Sequence, residues 1–251
     1  MNIVLLRPED WIDEQRVLLN DERARHIRNV LKSSVGETLR LGLIGGACGQ
    51  GLIESLDSSG VVLRTVLSEP PPKRHPFDLV LALPRPKMLR RILRQCAEFG
   101  ISHLHLINSA RVEKSYWQSP LLQASNVEAA LLAGMERSRD TLAPQVHLHQ
   151  RFRPFIEDEL PGLCAGRLCL ITEMGAEEPL AQHAGQPALV MIGPEGGFVP
   201  FEIELAQANG ARPVHLGERT LSVDTALSAT LAQGSAVFAL SAGQGLGGIP
   251  L

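Results

Sequence analysis

Two glycine-rich segments in the last third of the chain have the composition of ligand-binding turns. In the first, ALVMIGPEGGFVPFE (188–202), an apolar strand is followed by Gly193, Pro194, Glu195, Gly196 and Gly197 and then by a helix start near Pro200. The second, PVHLGERTLSVDTALSA (213–229), repeats this order with Gly217. Glycines let backbone amides approach a ligand closely, and ligands of open α/β sheets bind beyond the carboxyl ends of the strands. A plain strand-to-helix turn is the alternative for each segment; the ligand-binding interpretation predicts that both turns form one pocket.

The motifs that are missing limit the kind of ligand. Neither turn continues into the Gly-Lys-Ser/Thr of a Walker loop, and G-P-E-G-G lacks the spacing of the dinucleotide fingerprint, so phosphate is not the obvious ligand. We find no Ser/His/Asp set and no metal-ligand constellation in the sequence and predict no metal site. The four cysteines lack zinc or redox spacing and are assigned no chemistry.

The second turn carries polar side chains with two interpretations. Ser222 is a plausible N-cap for the following helix. Asp224 is either a first-turn carboxylate that interacts with the helix dipole or a functional group. The sequence leaves this choice open.

A stripe of positive charge precedes these turns in the chain. Lys87, Arg90, Arg91 and Arg94 lie at offsets of 3, 4 and 7, on one side of a predicted helix whose other side is apolar, and Arg85 is adjacent. Residues 73–117 carry 9 basic and 3 acidic side chains, whereas residues 1–72 carry 8 and 10 and residues 118–251 carry 7 and 14. A phosphate-contact surface for nucleic acid is favoured over a solvated helix face. Three further residues, His26, Arg28 and Lys32, can extend it, although a solvated face explains these nearly as well.

The elements that position these residues fall into two regions. Residues 1–70 show short apolar runs separated by Gly, Ser and Asp, which is typical of a small β-barrel or sheet, interrupted by one helix over Asp21–Leu31 with Asp21 as its cap. The proline-rich segment at 71–76 is predicted to be a linker.

From residue 77 the pattern alternates between strand and helix. Strands are predicted over residues 77–83, 103–107, 168–172, 188–192 and 213–216, and helices over residues 87–99, 120–137, 200–209 and 224–240. Continuous apolar strands that alternate with helices indicate an α/β domain with a mostly parallel sheet covered on both faces.

Bulk composition fits a globular protein. The chain has 251 residues, of which 44% are hydrophobic and 20% charged. No apolar run is long enough for a membrane span, and the N-terminus becomes charged too early for a secretory signal. We therefore expect a cytoplasmic protein without a membrane partner.

Three segments together resemble a known family: RHIRNVLKSSVGETL (25–39), IGPEGGF (192–198) and HLGERTLSVDTA (215–226). The chain resembles, over nearly its whole length, the RsmE-type 16S ribosomal RNA uridine-N3 methyltransferases of the SPOUT superfamily. The resemblance implies an N-terminal PUA-like β-barrel that binds RNA, a C-terminal SPOUT α/β domain (77–243) with a deep trefoil knot, S-adenosylmethionine (SAM) bound in the knot, and a homodimer. Its implied partner is the ribosomal RNA of the small subunit.

The resemblance also assigns roles to residues. Those that it places around SAM are Thr172, Glu173, Ile192, Gly193, Pro194, Glu195, Gly196, Gly197, Leu216, Gly217, Leu221, Ser222, Thr225 and Ala226. For the chemistry, Arg219 is expected to stabilise the uracil anion, and Glu195 or Asp224 to accept the proton. A carboxylate base would need a raised pKa or a water relay.

The chain departs from the family pattern at two places. Residues 221–226 read LSVDTA where the family has leucine-arginine followed by glutamate-threonine-alanine, and residues 137–140 read RSRD where the family has Gln-Ser-Gly-Arg. Two alternative functions therefore stay open: a SPOUT methyltransferase for another RNA position, and a non-catalytic RNA-binding assembly factor.

Overall fold

The structure, a computed structural model, describes residues 2–235. The chain forms two compact units. The N-terminal unit contains the described residues up to Lys73 together with Cys96–Gly100 and Glu128–Ala143. The second unit, which we call the α/β unit, contains Arg74–Gln95, Ile101–Val127 and the described residues from Pro144 onward.

A five-stranded mixed sheet forms the N-terminal unit. Its strands are β1 (Val4–Leu6), β2 (Arg16–Leu19), β3 (Thr38–Leu43), β4 (Cys48–Leu56) and β5 (Val61–Glu69), in the order β1-β3-β4-β5-β2. The β1–β3 pair is parallel and the other pairs are antiparallel. Alternate residues of β2 and β5 point into a core that includes Val17, Leu19, Val61 and Leu63, because successive side chains of a strand face opposite sides of the sheet.

The helix α1 (Glu22–His26) begins as predicted, because the Asp21 carboxylate accepts a hydrogen bond from the amide of Arg23. A π-helical turn over Ile27–Leu31 continues it. Ala24 and Ile27 are buried, but Val30 is 63% exposed. The predicted apolar face therefore ends early, since a wider π turn shifts the residues that follow around the helix axis.

The α/β unit contains a six-stranded parallel sheet. The strands are β6 (Phe77–Ala82), β7 (His103–Ile107), β8 (Gln145–His149), β9 (Leu168–Thr172), β10 (Ala188–Ile192) and β11 (Arg212–Val214), in the order β11-β9-β10-β6-β7-β8. The helices that the chain forms after β6 are α2 (Pro86–Phe99), α3 (Ala124–Ser138), α4 (Phe152–Pro154), α5 (Leu160–Leu163), α6 (Pro200–Ala208) and α7 (Val223–Gly234). This confirms the predicted α/β class and parallel sheet.

The central strands explain why their sequences are apolar throughout. Every residue of β6 and β10 is buried, since the centre of a parallel sheet is covered on both faces. Strand β10 pairs with β6 on one side and with β9 on the other. After β8 the chain crosses to the other side of β6 and forms β9 there. It then forms β10 between β9 and β6, so the direction in which strands are added to the sheet changes at β10.

Several predicted elements differ from the structure. The helix predicted from Pro120 begins at Ala124, after a separate 3-10 turn at Pro120–Leu122. The predicted last helix covers Val223–Gly234; its predicted end, residues 236–240, and the tail lie outside the described residues. Strands β2 and β8 and the helical segment from Phe152 to Leu163 were not predicted.

Among the described residues, no helix is both long enough and apolar enough to cross a membrane.

Candidate cofactor site and basic helix

A cavity of about 630 Å³ lies in the α/β unit at the carboxyl ends of β9, β10 and β11. Its size falls in the range of small-molecule sites, and its place agrees with the rule for open α/β sheets. The wall is made by Thr172, Glu173, Met174, Gly175, Ile192, Gly193, Pro194, Gly196, Gly197, Phe198, Pro200, Ile203, Leu216, Gly217, Arg219, Thr220, Leu221, Val223 and Ala226. Both predicted glycine turns therefore contribute to one pocket.

The first glycine turn needs its glycines for two different reasons. A Cβ at Gly193 would lie 3.0 Å from the backbone nitrogen of Phe198 and 3.2 Å from Gly197 Cα, so the turn closes too tightly for a side chain. Gly197 has a φ of +75°, a conformation that residues other than glycine rarely adopt. Its amide donates to the Pro194 carbonyl at 2.8 Å and closes the turn. The ligand-facing backbone is thus held in one shape.

Arg111, in the loop after β7, braces the same turn. Its guanidinium donates to the carbonyl of Gly196 and, at 3.3 Å, to the carbonyl of Gly197. Both carbonyls therefore accept hydrogen bonds from Arg111, which holds one side of the turn in place.

Glu202 joins that loop to helix α6. Its side chain is only 3% exposed, and its two carboxylate oxygens accept from the amides of Ala110 (2.7 Å) and Val199 (3.0 Å). Val199 is the N-cap of α6, and a valine side chain cannot cap a helix. The buried carboxylate satisfies the free amide instead and fixes the loop that carries Arg111.

The second turn is held by side chains of its own. The amide of Gly217 donates to Nδ1 of His215 at 3.1 Å, and Gln233 of α7 donates to the carbonyl of Leu216 at 3.2 Å. Thr172, at the end of β9, donates through its hydroxyl to the carbonyl of Met191 at 3.0 Å. A hydrogen bond therefore joins the ends of β9 and β10, and the turn after β11 is tied to helix α7.

Ser222 occupies the N-cap position of α7, but its side chain does not cap the helix. The hydroxyl lies 2.7 Å from Oδ1 of Asp224 and 2.9 Å from Oγ1 of Thr225. The prediction of a side-chain cap is wrong, because no backbone amide of the helix donates to this hydroxyl, which instead donates its own hydrogen to the Asp224 carboxylate.

The predicted cofactor residues are mostly, but not all, on the cavity wall. Glu195, Ser222 and Thr225 are the three that do not line it; all are exposed. Of the predicted catalytic residues, Arg219 lines the cavity and is exposed at its mouth, whereas Glu195 and Asp224 lie beside it.

Both predicted base carboxylates face arginines, one in the basic stripe and one adjacent to it. Nε of Arg85 lies 2.7 Å from Oε2 of Glu195, and Nη1 of Arg91 lies 3.3 Å from Oδ2 of Asp224. The Ser222 hydroxyl, and to a smaller extent the charge of Arg91, lower the pKa of Asp224. Asp224 is therefore an ionised partner of Arg91 and a weak proton acceptor.

The basic stripe itself is open to solvent over most of its length. Lys87, Arg90 and Arg91 are exposed, and Arg94 is partly buried. Gln95 on the same helix donates to the Ser228 hydroxyl of α7 at 3.3 Å. Helix α2 thus presents cations beside α7, which carries one wall of the cavity.

The other predicted RNA-binding residues belong to the N-terminal unit. Lys32 is exposed and ends the π turn with a φ of 54°. Arg28 donates to the backbone carbonyl of Asp57, and His26 is partly buried and lines a different cavity. They do not form a continuous surface of exposed cations within this unit.

Sequence reasoning missed several residues of the site. These are Arg111 and Glu202, which hold the first turn, and the wall residues Met174, Gly175, Phe198, Pro200, Ile203 and Val223. One signal was present for Arg111: it follows a predicted strand of the parallel sheet, so it belongs to the same edge as the glycine turns.

Known proteins resemble the chain in sequence and in fold. Residues 71–234 match the family model described as RNA methyltransferase domain. Ribosomal RNA small subunit methyltransferase E of Treponema pallidum is 32% identical, with 92% of this chain and 90% of that protein covered.

Two solved structures share the fold. One is ribosomal RNA small subunit methyltransferase E of Neisseria gonorrhoeae bound to S-adenosyl methionine, with 22% identity, a TM-score of 0.74, and 92% of this chain and 95% of that chain covered. The other is a probable rRNA-methyltransferase of Porphyromonas gingivalis, with 26% identity, a TM-score of 0.69 and the same coverage.

The parallel sheet with its glycine-walled cavity is thus the domain of an RNA methyltransferase, the class to which the family model assigns it. The chain belongs to the RNA methyltransferase family and groups there with the small-subunit ribosomal RNA methyltransferases named E. The resemblance seen in the three sequence segments is confirmed.

Proposed function

We propose that this protein transfers a methyl group from SAM to N3 of a uridine in the 16S ribosomal RNA of the small subunit. The observation that carries the proposal is the single cavity that both glycine turns enclose, beside a helix of exposed cations. The relatives named small-subunit methyltransferases and the SAM-bound neighbour of the same fold support it.

The cavity suits SAM. Apolar side chains such as Ile192, Leu216 and Phe198 offer surfaces for an adenine ring, and the glycine turns bring backbone groups close. Glu173 and Arg219 are the two ionisable side chains that line it, one of each sign, and SAM carries both an ammonium and a carboxylate. The turn leaves no room for a Cβ at Gly193, so the closed turn that shapes this part of the pocket requires glycine there.

SAM supplies, when bound, an electrophilic methyl group on a sulfonium sulfur. The reaction forms an N3–C bond, breaks the C–S bond and releases the N3 proton. Arg219, at the mouth of the cavity, stabilises the negative charge that develops on the uracil ring. The rigid turns hold the reactants in line, and this alignment supplies much of the rate.

The proton needs an acceptor other than Asp224. Its lowered pKa makes Asp224 a poor base, so we assign it to the positioning of Arg91. Glu195 is the other carboxylate of the first turn, and we propose that it accepts the proton directly or through water once a phosphate has displaced it from Arg85.

The remaining expectations from the family belong to the same proposal. We propose a PUA-like barrel in residues 1–70, a linker at 71–76 and a SPOUT domain at 77–243 whose chain forms a deep trefoil knot around β10. A homodimer that works in the cytoplasm on the small subunit completes the assignment.

The decisive experiment is methyl transfer from labelled SAM to RNA from a strain that lacks the gene. Intact small subunits and free 16S RNA are tested separately, and the product is mapped by mass spectrometry. We expect label on one uridine of the small-subunit RNA, at N3.

Other outcomes identify the alternatives. Label on a different base or position would establish a methyltransferase with another target. If no RNA is labelled and calorimetry detects no SAM binding, the RNA-binding assembly factor is left as the function.

A matched pair of variants tests the role of Arg219. Arg219→Ala should lower kcat about a hundredfold, as the loss of one charge-stabilising donor typically does. Arg212→Ala removes an exposed arginine of β11 that does not line the cavity, and it should leave kcat unchanged. Equal kcat values for the two variants would show that Arg219 takes no part in the reaction.

A further inference from the structure

A second cavity, of about 480 Å³, lies within the N-terminal unit. Three apolar side chains, Leu5, Ile44 and Leu132, form part of its wall. The other lining residues are ionisable and of both signs: Arg7, Asp21, Glu22, Arg23, His26 and Glu136. The cavity therefore combines apolar surface with groups that donate and accept hydrogen bonds.

Arg23 and Asp21 are fully occupied by the structure of this unit. Two nitrogens of Arg23 lie 2.6 and 2.7 Å from the carboxylate oxygens of Asp10, and one of them donates to the carbonyl of Leu5 at 2.7 Å. Nε of the same guanidinium faces the carboxylate of Asp21 at 3.0 Å. These charges hold the wall together and are not offered to a ligand.

No side-chain hydrogen bond or ion pair joins His26 or Glu136 to another described residue, although the charges of His26 and Arg23 act on the Glu136 carboxylate. Nε2 of His26 is buried and makes no hydrogen bond with any described residue. The side chain of Glu136 is half-buried, and this burial raises the pKa of its carboxyl group. A buried polar atom without a partner is destabilising, so His26 gains from a ligand that supplies its missing hydrogen bond, and the half-buried carboxylate of Glu136 offers a ligand an acceptor.

The chemistry of the wall selects the ligand class. A free phosphate is disfavoured, since the carboxylates of Asp21, Glu22 and Glu136 repel it. A flat heteroaromatic ring with N–H donors fits better, because a carboxylate only accepts and an imidazole nitrogen does either. Nucleobases that carry an amino group donate to a carboxylate, as cytosine N4 does, whereas uracil presents O4 at that position.

We propose that this cavity binds an unpaired, amino-bearing nucleobase of the RNA substrate, with Glu136 accepting from its amino group and His26 completing the contact. The exposed guanidinium of Arg7 at the rim is suited to the adjoining phosphate. The inference rests on RNA as the substrate class under the proposed function. It adds a base-reading site distinct from the one that receives the target uridine.

The test compares binding of a ten-nucleotide oligocytidylate and a ten-nucleotide oligouridylate to the full-length protein. Contacts to the phosphates are common to both oligonucleotides, so the ratio of the two affinities isolates the base contact. We expect about tenfold tighter binding of oligocytidylate, within the range of one base contact. The Glu136→Gln variant, whose amide also donates to uracil O4, should bring the ratio close to one.

The matched control is Glu128→Gln, because Glu128 lies on the same helix, is exposed and does not line the cavity. It should keep the parent ratio. SAM affinity and thermal midpoint should be the same in all three proteins, which shows that the Glu136 variant is folded. Equal affinities of the parent for the two oligonucleotides, or an unchanged ratio in Glu136→Gln, would overturn the proposal.

This measurement needs no methyl transfer. A parent protein that prefers oligocytidylate but labels no RNA would refute the proposed methyltransferase activity and retain the base site. Methyl transfer without a preference for oligocytidylate would support the proposed methyltransferase activity and refute the base site.

Discussion

Nη1 of Arg91 lies 3.3 Å from Oδ2 of Asp224, so a cation of the stripe on α2 faces a carboxylate of the first turn of α7. A phosphate that binds Arg91 must compete with Asp224. Arg91 is 60% exposed, and pairs at such sites contribute little free energy, about 1 kcal/mol or less.

We therefore expect Asp224→Asn to raise RNA affinity about two- to fivefold at low salt, because it removes a weak competitor for Arg91. Filter binding as a function of salt measures this. Glu218→Gln is the control, since Glu218 is an exposed carboxylate in the turn before α7 and forms no ion pair with a described residue. An unchanged or weaker affinity for Asp224→Asn would show that the carboxylate does not compete with RNA.

Gly193→Ala tests the closed glycine turn. The added Cβ would lie 3.0 Å from a backbone nitrogen, which cannot move aside like a flexible side chain. Overpacking of this kind costs about 1–3 kcal/mol, so SAM affinity measured by calorimetry should fall about ten- to a hundredfold. Gly162→Ala is the matched control: a Cβ there meets nothing within 4 Å, and its helix accepts alanine. Equal SAM affinities for these two variants would contradict the role of the turn.

Glu202→Ala tests the buried carboxylate that joins two loops of the site. It removes two hydrogen bonds to a charged acceptor and leaves the amides of Ala110 and Val199 without a partner. We expect unfolding free energy to drop by about 2–4 kcal/mol and SAM affinity to fall with it, as chemical denaturation and calorimetry would measure.

The exposed Glu204 of the same helix provides the comparison, and Glu204→Ala should change stability by less than about 0.5 kcal/mol. Equal losses in both variants would mean that the two hydrogen bonds of Glu202 contribute nothing specific.

The sequence predicted those parts of the cavity wall whose residues are close to one another in the chain. Gly193 and Gly217 each follow a predicted strand, and parallel strands end at one edge of the sheet, so the sequence placed both turns at that edge. Arg111 and Glu202 were missed because their partners are distant in sequence. Arg111 contacts Gly196 across 85 residues and Glu202 contacts Ala110 across 92. The strand before Arg111 indicates its edge of the sheet, but a single sequence does not indicate either contact.

The missed strand β8 has a different cause. Its sequence, QVHLH, alternates between polar and apolar residues, unlike the continuous apolar strands at the centre of the sheet. It is an edge strand, and two of its polar residues, His147 and His149, pack beside His103 and His105 of β7. Histidines that stack on one another bury surface that a pattern of apolar residues does not reveal.

This histidine cluster predicts how stability depends on pH. Nδ1 of His105 lies 3.1 Å from Nε2 of His149, and the ring stacks on His147 at 4.5 Å. His105 is 4% exposed, and burial, followed by the neighbouring histidines, lowers its pKa from 6.5 to about 3. The folded protein therefore keeps this imidazole neutral while the unfolded chain protonates it below about pH 6.5.

The sign follows from proton binding. Between pH 6.5 and 3 the unfolded chain binds the extra proton, so the free energy of unfolding falls as pH falls through this window and is pH-independent with respect to His105 above it. From pH 7.5 to pH 5 the loss from this group is at most about 2 kcal/mol. His105→Leu removes the titrating group and should make the fall shallower by that amount in urea unfolding series at both pH values. The difference between variant and parent is measured at each pH, so carboxylates that titrate in both proteins cancel. Parallel curves for the two proteins would show that His105 is protonated equally in the folded and unfolded states and that its burial has no effect on acid stability.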